Sequence, residues 1–141
     1  MEEKVNLTLI PINPEISKAN TECTLIFSNE SPCTIQLKHE TIGRYIFSDS
    51  DLYATFLRLK AFLEKEGYNI LCNGSRIDAF PSTMSLQMSG GEDLYVVEIG
   101  YQVSSDSIVY IFDVPDVEKI ATLAEKESYY QKWIDSTDET K

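Results

Sequence analysis

The sequence is poor in the side chains that carry most enzyme chemistry: its 141 residues include one histidine and three cysteines. With a single imidazole, any Ser-His-Asp or Cys-His arrangement has to use His39, and a histidine metal site would rest mainly on carboxylates. His39 lies in a polar stretch that reads as a connection between strands, so an exposed, ordinary imidazole is expected there rather than a catalytic base. Cys23, Cys33 and Cys72 form an odd set without a C-x-x-C pair, which argues against a disulfide framework and against a thiolate zinc site. Reduced thiols are the simplest reading; a Cys23–Cys33 bridge across a hairpin is the alternative that the spacing leaves open.

Long hydrophobic runs are missing as well. The longest, within Leu94–Ile99 and Ile108–Phe112, fall far short of the roughly 18 residues that a membrane-spanning helix needs. The opening Met1-Glu2-Glu3-Lys4 is acidic where an export signal needs a basic region, and no apolar stretch follows it. A cytoplasmic protein without a membrane segment is the expectation. Gly90-Gly91 stands outside any G-x-G-x-x-G or P-loop pattern and precedes Glu92-Asp93, which would repel an anion, so no nucleotide loop is expected.

What the chain has in excess is negative charge: 23 acidic against 12 basic side chains, a net of −11. That balance repels nucleic-acid phosphates at long range, so DNA and RNA are not expected as ligands. Residues 1–50, 51–112 and 113–141 carry −3, −4 and −4, so the acidity is spread along the chain and must colour the folded surface itself. Such a surface attracts a basic partner; it also serves simply to keep a protein dispersed.

Apolar residues at 43% and aromatics at 11% place the chain among folded proteins, and its length suits one domain spanning 1–141. Val5, Leu7 and Leu9 alternate with Asn6 and Thr8 before Pro11 and Pro14, and further short runs at Thr24–Phe27, Thr34–Lys38 and Ile42–Phe47 suggest a meander. Leu52, Phe56, Leu59 and Leu63 then fall on one helical face, predicting a helix over 51–66 with a capping box in Ser48-Asp49-Ser50-Asp51 and Gly67 at its left-handed end. Tyr68 through Phe80 contains Asn73-Gly74 between two apolar runs, the pattern of a type I′ hairpin. One helical turn is expected around Met84 and Met88, two buried strands in 94–99 and 108–112, and a second long helix over 116–134 opened by Asp113-Val114-Pro115-Asp116. Residues 135–141 should fray. The fold class is therefore α+β: a mostly antiparallel sheet with two main helices.

No catalytic residues, metal ligands or cofactor are assigned. Asp49 and Asp51 have a local role at a helix start, and Glu92 and Asp93 in a turn.

The stretch Phe56-Leu57-Arg58-Leu59-Lys60, Cys72-Asn73-Gly74-Ser75-Arg76, Pro81-Ser82-Thr83-Met84 and Met88-Ser89-Gly90-Gly91 resembles a family of small, mostly uncharacterised bacterial proteins. Some of its members are similar to immunity proteins of polymorphic and contact-dependent growth-inhibition toxin systems. The likeness covers about residues 45–115. Where that family tends to place a basic and a small residue after the double glycine, this chain has Glu92-Asp93; Thr83 and Leu86 stand in place of the usual Gly and Arg. The resemblance implies a binding protein that neutralises a cognate toxin, with the altered site turned toward a basic, nuclease-type partner and Arg76, Asp78, Glu92 and Asp93 as partner-binding candidates. The alternative is a small-ligand or enzyme-like pocket near Cys72–Arg76 and Met84–Gly91, lined by Cys72, Asn73, Ser75 and Met84. Asn73, Gly74, Pro81 and Gly90 read first as turn residues, and Arg76 as a partner for Asp78 or a helix carboxylate.

Overall fold

In a computed structural model, which describes residues 2–13, 19–104 and 106–137, the chain opens with four antiparallel strands: β1 (Glu2–Pro11), β2 (Thr21–Ser28), β3 (Cys33–His39) and β4 (Gly43–Asp49). Each pairs with the next, so the expected meander is present; Pro14 lies outside the described residues. Alternation sets the register. Leu7, Leu9, Cys23, Leu25, Phe27, Cys33, Ile35 and Leu37 all point to one buried face, while Asn6, Thr24, Lys38 and Arg44 line up on the other. Helix α1 (Leu52–Lys65) covers the buried face with Leu52, Phe56, Leu59 and Leu63, all without exposed surface. Strand β5 (Tyr68–Ile70) then returns to pair with β1, completing the order β4-β3-β2-β1-β5.

A smaller sheet follows, β6 (Ala79–Phe80), β7 (Asp93–Val96) and β8 (Ile108–Tyr110), in that order and antiparallel. Helix α2 (Thr83–Ser89) precedes β7, and α3 (Leu123–Thr137) ends the described chain. The result is an α+β architecture, as the sequence patterning predicts.

Several local expectations need correction. Asp51 alone caps α1, accepting from the Ala54 N–H at 2.7 Å, because Ser48 is held in the β4 ladder and is not free to cap. The helix expected over 116–134 starts at Leu123. Residues 117–119 form a separate 3-10 turn, and Ile120 makes a bridge to Arg76 that keeps the chain extended. The cap is Thr122-Leu123-Ala124-Glu125, whose ends bond reciprocally: the Thr122 N–H donates to Glu125 Oε1 at 2.9 Å and the Glu125 N–H to Thr122 Oγ1 at 3.2 Å. At its other end α3 runs on through Thr137, past the expected start of fraying; residues 138–141 lie outside the described set.

The Asn73-Gly74 hairpin is not formed either. Asn73–Ser75 is a 3-10 turn, β5 pairs with β1, and β6 pairs with β7. Gly74 is required there for close approach, not for positive φ: a Cβ would lie 2.6 Å from Cε2 of the fully buried Phe56 ring. Gly74→Ala should therefore cost about 2 kcal/mol through overpacking. A lower denaturant midpoint at unchanged m-value is the expected readout, and an unshifted midpoint would contradict the packing argument.

All three cysteines are free and buried, so the Cys23–Cys33 bridge is absent. His39 is buried, contrary to expectation. Its Nδ1 accepts from the Thr41 and Ile42 N–H groups at 3.1 and 3.0 Å, closing the β3–β4 turn, and Nε2 lies 3.1 Å from Thr21 Oγ1.

Candidate functional site

The Cys72-Asn73-Gly74-Ser75-Arg76 segment is tied down from three directions. The Asn73 N–H donates to the Asp113 carbonyl at 2.8 Å, its side-chain amide to the Tyr110 carbonyl at 2.9 Å, and the Gly74 N–H to the Ile111 carbonyl at 2.9 Å. From α3, the buried Lys126 ammonium donates to the carbonyls of Gly74, Arg76 and Ala79, each at 2.9 Å. From α1, the fully buried Lys60 donates to Asn69 and to Ser75 Oγ, the latter at 3.2 Å, and meets Glu64 at 3.3 Å. Glu64 in turn accepts the Leu123 N–H at 2.9 Å, so one carboxylate joins α1, Lys60 and the start of α3.

Two buried ammonium groups near one another are costly. Burial first, then the Lys60 charge, pushes Lys126 down to about 7, while three carbonyl acceptors favour its charged form. Lys60 is also lowered by burial, with Glu64 opposing. Phe80 and Tyr53 place their rings 4.8 and 5.8 Å from the Lys126 nitrogen.

These bonds involve the residues of the pocket alternative. Cys72, Asn73 and Ser75 are buried and turned into this polar knot, with the Cys72 thiol pushed up to about 11 by burial. Met84 projects from α2 with 66% of its surface exposed. The four do not line one cavity, and a thiol raised that far is a poor nucleophile.

The partner-binding candidates separate into two places. Arg76 and Asp78 bond each other, Nε to Oδ1 at 2.5 Å, with Lys119 4.0 Å from the same carboxylate. Asp78 is buried and its charge is matched locally. Glu92 and Asp93 lie instead where α2 hands over to β7. Gly90 and Gly91, both with positive φ, turn the chain there; the Gly90 carbonyl accepts the Leu52 and Tyr53 N–H groups at 2.9 and 3.2 Å, capping α1 from outside. Glu92 accepts from the Asn29 amide at 2.8 Å, while Asp93 is exposed.

Around this second pair the structure assembles more than the sequence suggests. Burial first, then the carboxylates of Glu92, Glu3, Asp113 and Asp93, push the Tyr110 phenol up to about 12. Acids from β1, the turn before β7, β7 itself and the segment after β8 thus all act on the charge of one half-buried tyrosine. No sequence signal announces this, since Glu3 and Asp113 lie at opposite ends of the sequence; the fold sets the Phe112 ring, beside Asp113, at a tilt against Phe27 of β2, centroids 4.6 Å apart. Met84 and Met88, one helical turn apart on α2 and 66% and 81% exposed, lead into the same turn.

Among the described residues, no group of three or more His, Cys, Asp or Glu side chains is placed to hold a metal ion, and no helix is long and apolar enough to cross a membrane. No family model matches the chain, and no curated protein matches it.

Proposed function

We propose that the protein is an immunity protein: it binds a cognate toxin domain of basic, nuclease type in the cytoplasm and blocks it. The observation that carries this reading is a net charge of −11 whose exposed acids include Glu3, Asp93 and Asp113, all of which, with Glu92, act on the Tyr110 phenol. A domain that grips a phosphate backbone is positively charged where it does so. An acidic surface competes for that surface and draws it in at long range. Exposed Met84 and Met88 offer adaptable apolar contacts that desolvate once the charges have aligned.

The motif residues then have a supporting role. Asn73, Gly74 and Ser75, held by Lys60 and Lys126, fix the ends of β6 and β8 and so set where Tyr110 and Asp113 stand.

Co-expression with the neighbouring reading frame tests the proposal. That frame should arrest growth alone, and this protein should restore growth and co-purify with its product. A harmless frame, or a toxic one that this protein neither rescues nor retains, rules the reading out.

A further inference from the structure

Sheet edges are where a β protein is open to new partners, and this chain treats its edges unequally. The edge strands β5, β6 and β8 have three, two and three residues, short enough to offer little to pair with. Strand β4 has seven. It runs in unbroken register with β3 from Gly43 to Asp49, without bulge or proline, and among the described residues no strand pairs with its outer side. Its centre is apolar and uncovered: Ile46 is 69% exposed and Tyr45 44%. Unguarded strands of this kind are normally selected against unless something pairs with them.

The occupant follows from charge and register. From Cys33 to Asp49 the acids Glu40 and Asp49 balance Lys38 and Arg44, so this hairpin is neutral in a chain of net −11. Asp49 is further matched by Arg58 at 2.7 Å. Two copies of so acidic a protein repel each other everywhere more than here. We propose that β4 pairs antiparallel with β4 of a second copy about a two-fold axis through Ile46, joining two five-stranded sheets into one. In that register Ile46 faces Ile46, Tyr45 faces Phe47 twice, and Arg44 faces Ser48, so aliphatic and aromatic pairs meet and no like charges oppose. Tyr45 and Phe47 are already held for this, with ring centroids 4.4 and 5.6 Å from Phe62 of α1.

Sedimentation of the full chain over a concentration series tests the pairing. Expected is a reversible rise from the mass of one chain to that of two, with Ile46→Lys weakening association about hundredfold, since two ammonium groups would then meet on the axis. The site is exposed, so the variant should fold, which circular dichroism checks. Ile46→Cys should oxidise to a covalent dimer while Arg44→Cys should not, because only position 46 faces itself; the native thiols are buried and do not compete. A single-chain mass throughout, or a dimer indifferent to Ile46→Lys, overturns the proposal. So does a chain that stays single yet loses its protein partner on Ile46→Lys, which would assign the edge to a partner's strand.

Discussion

Lys126→Met should lower stability by about 3 kcal/mol near pH 8 and Tm by roughly 10 °C for a chain of this length. The thioether fills the space but donates nothing, whereas the Lys126 amine at that pH still carries two N–H groups, so two of the three carbonyls of Gly74, Arg76 and Ala79 lose their donor in a buried site. A second signature separates this from simple loss of packing. In the fold Lys126 releases its proton at about 7, whereas in the unfolded chain it keeps it to about 10.4. Between those values the unfolded state binds more protons, so stability rises with pH, by up to about 1.4 kcal/mol per unit. Lys60, shifted in the same direction, adds to that rise. Above about pH 9 the trend reverses: Cys72 and Cys23, pushed up to about 11 and 12 by burial, hold protons that the unfolded thiols have lost. Denaturant melts from pH 6.5 upward should therefore trace a dome, and Lys126→Met should flatten its rising limb. An equally steep limb in the variant would show that Lys126 does not titrate as described.

The second large effect concerns the acidic face. If the protein acts as proposed, reversing Glu3, Asp93 and Asp113 together to lysine should slow association with its toxin about hundredfold at low salt, with the difference shrinking as salt is added and the dissociation rate little changed. All three side chains are exposed, and Glu92 is left in place because its bond to Asn29 ties the turn before β7 to the end of β2. Stopped-flow or biosensor kinetics at two ionic strengths reads this directly. A triple variant that associates as fast as the parent would remove Tyr110 and its surrounding acids from the contact surface.

How far the sequence discloses this molecule depends on the range of the forces involved. Strands β1 to β4 and helix α1 are legible because a half-buried element writes its period into neighbouring residues: Leu7 and Leu9 for the strand, Leu52, Phe56, Leu59 and Leu63 for the helix. Asn73-Gly74 misleads because its turn preference is local and weak, while the bonds from Asn73 to Tyr110 and Asp113 come from some forty residues away and decide the conformation. The start of α3 was readable in Thr122-Leu123-Ala124-Glu125; an acidic stretch with a proline at 113–116 resembles a helix start and draws attention from it. Lys60 and Lys126 pass for surface residues, since nothing beside a lysine in sequence announces burial. Of the candidate site, Glu92 and Asp93 were named from the sequence; Glu3, Asp113 and Tyr110 join them only through the fold.

The reach of Lys126 also bears on how the chain is made. The carbonyls it holds lie 47 to 52 residues earlier, and during synthesis they leave the ribosome well before their donor exists. Until α3 emerges, the Cys72–Phe80 segment has to wait in water, uncommitted, and a nascent chain stalled short of that helix would offer its half-built small sheet to proteases and chaperones. The small sheet and α3 would then reach their final arrangement late in translation and together.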